Sequence, residues 1–358
     1  MTVLAAARVL TGDGGMSASP AFVVIEEGRV VATGTGSPPG GGIDLGDALL
    51  APGFVDLQVN GLGTVDFATA DPAAVTGTLD ELTRRGVTSC LPTLVSAPLD
   101  AYAPALDRLR EAGVWGVHLE GPFLGGAPGA HTPAYLRRAD VPWLAHLLET
   151  YGELIRVVTL APESDPELRA TRELVRRGVR VALGHSTASY EEARAAAAAG
   201  ASLVTHVFNG MGALHHRAPG LAGAALTERR LVPSLIADFV HVHPAVVRLV
   251  VAARPDALVV SDAVGGVAEV DGAARLPDGT LAGAIATLDA GVRNLASLGV
   301  TAQQAVRMAT GNPTKAIGAT DRGRLAPGCR ADVVALDPET LAVRAVWVNG
   351  RPVGPHGS

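Results

Sequence analysis

The chain has 358 residues, 48% of them hydrophobic and 18% charged, enough apolar material for a large core and too much for a disordered or acidic-tail protein. A formal charge of -6, with no basic patch interleaved with aromatics, argues against a phosphate-backbone footprint, so no nucleic-acid partner is expected. Two cysteines, Cys90 and Cys329, without C-x-x-C spacing, support neither a disulfide framework nor a cysteine zinc site, and fit a reducing cytoplasm.

The N-terminal run MTVLAAARVLTGDGG lacks a basic n-region and a long apolar stretch, and no apolar run nears the roughly 18 residues of a membrane span. Neither export nor membrane insertion is expected. The first fifty residues predict short strands at Leu4–Leu10, Phe22–Glu26, Arg29–Thr33 and Ala48–Leu50, with a turn at Glu27-Gly28. The far end is similar, with strands at Asp332–Leu336 and Val343–Val348 and turns at Asp337-Pro338 and Asn349-Gly350. Residues 1–50 with 321–358 therefore read as one small β-sandwich domain built from both termini.

Between residues 51 and 320, short apolar strands alternate with alanine-rich amphipathic helices, the signature of βα units. Eight strands are predicted, at Val55–Val59, Ser89–Thr93, Gly116–Glu120, Arg156–Ala161, Arg180–Gly184, Leu203–Val207, Pro233–Ala237 and Leu258–Ser261. Helices such as Ala73–Arg85, Pro166–Arg177 and Tyr190–Ala199 separate them, and Gly86, Gly178 and Gly200 follow as C-terminal stops. Eight units point to a (β/α)8 TIM barrel as the catalytic domain. The rival is a doubly wound open sheet, but no Gly-x-Gly-x-x-Gly follows the first strand, and polar residues recur at many strand ends.

Those polar residues carry the chemistry. Asp56, Gln58 and Asn60 alternate along the first strand, Glu120 ends the third, His185 follows the fifth, His206 belongs to the sixth and Asp262 ends the eighth. All fall at C-terminal strand ends, the face where barrel active sites are built. A Glu, His, His set suits a divalent ion such as zinc, because two neutral imidazoles and a carboxylate leave a coordination position open for water. Asp262 is then placed to take a proton from that water and pass it on.

The runs PGFVDLQVNG (52–61), HLEGPF (118–123), GHSTAS (184–189), THVFNGM (205–211), HHRAPGLAGA (215–224) and SDA (261–263) resemble the N-acetylglucosamine-6-phosphate deacetylase family of the amidohydrolase superfamily. ATGNPTKAIG (309–318) and GRLAPGCRADVVALD (323–337) extend the likeness over essentially the whole chain. The resemblance implies a cytoplasmic, homodimeric, metal-dependent hydrolase that removes the acetyl group of N-acetylglucosamine 6-phosphate to give glucosamine 6-phosphate and acetate. It implies Glu120, His185 and His206 as metal ligands and Asp262 as the catalytic acid/base. Where many amidohydrolases carry His-x-His in the first strand, this chain has Gln58 and Asn60, so one divalent ion per chain, zinc by preference, is expected. Gln58 and Asn60 either hydrogen-bond within the barrel mouth or act directly on substrate.

His131 resembles the family histidine that helps polarise the amide carbonyl, with a solvated loop histidine as the other reading. Asn209 and Gly210 match positions that meet the sugar phosphate. Arg217 resembles the arginine that grips phosphate, within the chain or across a dimer, against the plainer reading of a surface ion pair. His241 resembles a contact to a substrate hydroxyl. His118, sharing the inward face with Glu120, reads as a supporting residue behind the ligands. His215, His216 and His243 read as loop-orienting groups or as supports behind the ligands, not as ligands, and Cys90 as a core thiol. The chain departs from the pattern at Phe239, which stands where ADG-x-HV has glycine, at Ala218 for the glutamate of HHREPG, in the lysine-free loop 124–130, and at Val264-Gly265-Gly266. Other readings are a deacetylase for another N-acetyl amino sugar, a cyclic-amide hydrolase, or a binding protein on the same fold. The last is expected to have lost a metal ligand or Asp262, and this chain has kept them.

Overall fold

A computed structural model of the chain describes residues 1–270 and 272–354. Eight parallel strands follow one another in chain order: Phe54–Val59, Val87–Val95, Val117–Glu120, Ile155–Leu160, Arg180–Leu183, Leu203–Val204, Val232–Ile236 and Leu258–Val260. Every residue of Phe54–Val59 and of Val117–Glu120 is buried, as parallel strands covered on both faces require. The end of the first strand meets the residues just past the last strand. There Asp262 N donates to Gln58 O at 2.9 Å, Asn60 N donates to Ala263 O at 2.7 Å, and Val59 pairs with Ala263. The architecture is the expected (β/α)8 barrel.

The connecting helices carry their own punctuation. Tyr190–Ala198 starts in a capping box: Ser189 Oγ accepts from Glu192 N at 3.2 Å, and Glu192 Oε2 accepts from Ser189 N at 2.7 Å. It stops at Gly200, whose φ of +110° suits a residue without a Cβ. The sixth strand is shorter than its apolar run predicts, Leu203–Val204 instead of Leu203–Val207. The cause is local: His206 and Phe208 adopt φ of +28° and +78°, outside extended geometry. Asp262 likewise lies two residues past the last strand, at φ +50°.

The chain divides into two compact units, one of residues 1–56, 79–89 and from 287 on, the other of 57–78 and 90–286. The first contains two small sheets. One runs Arg29–Thr35, Ala21–Glu26, Thr2–Ala6 and Ile43–Asp44; the other runs Arg8–Val9, Leu49–Pro52, Val333–Leu336, Val343–Val348 and Arg351–Pro352. The second of these sheets joins both termini, with Leu50 opposite Ala335, as the two similar ends of the sequence predict. Leu4, Val23, Ile25, Leu50, Val333 and Trp347 share one buried cluster, and at about 25 cal/mol per Å² that burial is what holds short strands together. Among the described residues no helix is long and apolar enough to cross a membrane.

Candidate active site

Three strand ends bring Glu120, His185 and His206 together. Glu120 Oε1 lies 3.1 Å from His185 Nε2 and 2.9 Å from His206 Nε2, and the two Nε2 atoms are 3.1 Å apart. All three residues are buried. Burial alone would raise the Glu120 carboxyl, but hydrogen bonds and positive charge from His185 and His206 hold it well below its usual range. Burial pulls His206 down, and Glu120 more than reverses this, to about 9. His185 Nδ1 faces Ala127 O at 3.2 Å; a proton on Nδ1 leaves the Nε2 lone pair aimed at the cluster. Three lone-pair atoms packed this closely are the donor set of a divalent metal ion, and together these residues could hold one.

Asp262 lies beside this cluster. Its Oδ1 accepts from Gln58 Nε2 at 3.1 Å and from Asn60 Nδ2 at 2.9 Å, while Gln58 Nε2 also donates to Glu120 Oε1 at 2.9 Å. One carboxamide thus bridges two carboxylates. Burial, then the Glu120 charge, raises Asp262 to about 7. Asn60 Oδ1 is buried without a partner among the described residues.

His131 is buried, with Nδ1 accepting from Ser96 N at 3.3 Å and Nε2 standing 3.9 Å from Glu120 Oε2. Burial and the neighbouring His185 charge lower it to about 3, so it is a neutral imidazole whose Nε2–H points into the site. His118, below, spans Leu57 O at 3.0 Å and Thr159 Oγ1 at 2.7 Å, and burial brings it to about 4. It is closed off from the cavity mouth and braces the floor. Three of the central residues, His185, His206 and Asp262, have positive φ, at +49°, +28° and +50°, a concentration of backbone strain of the kind found at active sites.

The cluster floors a cavity of about 620 Å³, within the range of small-molecule sites. Asn60, Glu120, His131, His185, His206, Asn209, Gly210, His241 and Asp262 all line it. Gly210 packs on an imidazole: a Cβ there would lie 2.6 Å from His185 Nδ1. His241 Nδ1 bonds Asp238 Oδ2 at 2.7 Å, and its Nε2 is buried with no partner among the described residues. Gln58 sits just behind the lining, held between the two carboxylates. Arg217 is not brought in; it is exposed outside the cavity, its Nη1 2.8 Å from His216 Nε2. The sequence reading missed Asp238, whose spacing of three before His241 is a detectable signal. It also missed Ser96, and Arg275 on the wall formed after the last strand, a segment outside the βα pattern.

The family model for the amidohydrolase family matches residues 49–353. The N-acetylgalactosamine-6-phosphate deacetylase of Escherichia coli O157:H7 is 39% identical over 329 residues, covering 85% of this chain and 87% of that one. The N-acetylglucosamine-6-phosphate deacetylase of Bos taurus is 38% identical, covering 87% and 84%. Among solved structures, a mutant N-acetyl-D-glucosamine-6-phosphate deacetylase of Mycobacterium smegmatis in complex with N-acetyl-D-glucosamine-6-phosphate superposes with a TM-score of 0.93 at 34% identity, covering 98% of this chain and 99% of that one. A barrel whose buried Glu, His, His cluster meets an aspartate at the strand ends, matched over this much of its length, belongs to the metal-dependent amidohydrolase family, in the branch of these amino-sugar-phosphate deacetylases.

Proposed function

We propose that this chain hydrolyses the acetamide of N-acetylglucosamine 6-phosphate, releasing acetate and glucosamine 6-phosphate. The observation that carries the reading is the placement of Asp262, tied through Gln58 to the same carboxylate oxygen of Glu120 that faces both imidazoles. Glu120, His185 and His206 would hold one divalent ion, zinc by preference for imidazole and carboxylate donors. Bound there, the ion supplies Lewis acidity, acidifying water and drawing electrons from the acetyl carbonyl. Asp262 accepts the proton of the attacking water and delivers it to the leaving nitrogen. An amine leaves poorly unless protonated, so one shuttling carboxylate serves both halves of the reaction.

His131, neutral and with Nε2–H directed inward, donates to the carbonyl oxygen as negative charge develops there. Gln58 and Asn60 hold Asp262 in place through their amide groups. Asn209 and Gly210 contact the sugar phosphate, His241 contacts a substrate hydroxyl, and Arg217, exposed on its loop, would grip phosphate, from a neighbouring copy if the chain forms a homodimer. The two free thiols suit a cytoplasmic setting. Residues 1–50 with 321–358 form the proposed small domain and 51–320 the proposed catalytic domain.

The second reading, the galactosamine epimer, rests on the likeness to the Escherichia coli enzyme. Purified chain loaded with zinc and supplied with either 6-phosphate should release acetate and free amine in equal amounts, fastest from the glucosamine derivative. Preference for the galactosamine derivative would move the assignment to that epimer. Release from neither would remove the deacetylase reading.

A further inference from the structure

The cavity wall carries three carboxylates, on Asp66, Glu120 and Asp262, and among the described lining residues Arg275 is the sole lysine or arginine. A phosphate monoester entering this space therefore meets negative charge on several sides and one permanent positive charge. His131 accepts from Ser96 N through Nδ1, and His185 and His206 are taken up with Glu120. Arg217 is exposed and outside the lining.

Arg275 is not loosely placed. It ends the strand Ala273–Arg275, which pairs antiparallel with Leu281–Gly283. The turn between them is closed by Leu276 N donating to Thr280 O at 2.9 Å, by Gly279 N donating to Leu276 O at 2.9 Å, and by Thr280 N donating to Asp278 Oδ1 at 2.9 Å. Across this turn Arg275 Nη1 donates to Gly279 O at 2.8 Å. That bond fixes the guanidinium with one nitrogen, and no acceptor among the described residues takes up Nε or Nη2. A planar fork anchored at one corner, with further N–H groups to spare, is suited to phosphate oxygens. Its position also fits the ligand: the acetamide and the phosphate sit on carbons 2 and 6 of the hexose, so a sugar whose acetyl group lies over the barrel floor sends its phosphate to a wall.

We propose that Arg275 is a specificity-determining residue that recognises the substrate's phosphate from within the same chain. This rests on the reading of the substrate as an amino-sugar 6-phosphate. It differs from the expectation for Arg217, which is exposed and outside the cavity lining.

The test compares zinc-loaded wild type, R275Q, R275K and R217A. For each, kcat/KM is measured on N-acetylglucosamine 6-phosphate and on N-acetylglucosamine, and the inhibition constant of glucosamine 6-phosphate is set against that of glucosamine. Loss of a charge-assisted bond should lower the phosphorylated-to-unphosphorylated ratio in R275Q by about 10- to 100-fold, chiefly through KM. The preference in inhibition should fall in parallel, and R275K should recover part of both. Should R275Q fail to fold by circular dichroism, R275K decides, since a lysine still reaches a carbonyl: a reduced ratio supports the proposal and an unchanged one overturns it. Ratios unchanged in both Arg275 variants, or lowered by R217A alone, overturn the role of Arg275 while leaving the phosphate reading standing. A wild type indifferent to the phosphate overturns that reading, and the role of Arg275 with it.

Discussion

His241 Nδ1 donates to Asp238 Oδ2 at 2.7 Å, and the same carboxylate's other oxygen accepts from Val240 N and His241 N, both at 2.9 Å. One aspartate thus fixes both the tautomer of the imidazole and the turn that carries it. The other ring nitrogen, Nε2, is buried without a partner among the described residues, on a side chain that lines the cavity.

Asp238→Asn should raise KM about 10-fold with a smaller change in kcat, because the carboxamide weakens the bond that aims His241. The pair also has a pH signature. Burial raises Asp238, but the hydrogen bond and charge of His241 outweigh it and hold the carboxyl below its ordinary 3.8. A depressed folded pKa contributes stability that is present above the unfolded value and lost as pH falls through the folded one. The melting temperature of wild type should therefore exceed that of the variant at pH 7, with the gap closing below about pH 4. A gap that widens toward acid would contradict the assignment.

Gly210→Ala should cost metal affinity before it costs fold. The added Cβ would meet His185 Nδ1 at 2.6 Å, and the backbone there has φ +56°, so the imidazole must move or the loop must strain. Misplacing one of three ligands should weaken zinc retention at least about 10-fold, the order seen when a ligand's support is removed. Chelator competition measures this directly. Wild type should retain one equivalent, because the carboxamides of Gln58 and Asn60 already direct their NH2 groups at carboxylates. Two retained equivalents, or unchanged affinity in the variant, would count against this picture.

Much of the barrel was legible because each βα unit repeats the same local alternation, and polar residues at strand ends stand out against apolar runs. Glu120, His185, His206 and Asp262 could be picked out by that contrast alone. The shortened sixth strand could not, since the positive φ of His206 and Phe208 follows from tertiary placement and not from residue type. Arg275 was hidden for another reason. It lies in a hairpin inserted after the last strand, where the repeating pattern has ended and an arginine looks like any solvated charge. The bridge by Gln58 was invisible too, because its two partners lie 62 and 204 residues away.

Asp262→Asn should abolish turnover while leaving zinc content intact. The carboxamide keeps the shape, and its oxygen can still accept from Gln58 and Asn60, but it cannot shuttle a proton. The loss should be at least about 100-fold in kcat, the usual contribution of general acid and base. Metal analysis beside the kinetics separates the roles: a variant that loses its zinc would make Asp262 a ligand instead.

Phe239 offers a test of the backbone itself. It stands where the resembling family has glycine, and its φ is +69°, the left-handed region in which a Cβ crowds the following carbonyl. The Asp238 turn imposes that conformation, since Val240 N and His241 N both bond back to Oδ1. Comparing Phe239→Ala with Phe239→Gly removes the ring in both and leaves the Cβ as the main difference. If the turn persists, the glycine variant should be the more stable by about 1 kcal/mol in denaturant unfolding, the strain term exceeding the extra chain entropy glycine brings to the unfolded state. It should also keep the lower KM of the two, because His241 hangs from the same turn. An alanine variant as stable as the glycine one would mean that the turn relaxes once the ring is gone, and that Phe239, through its packing, is what holds Asp238 and His241 in register.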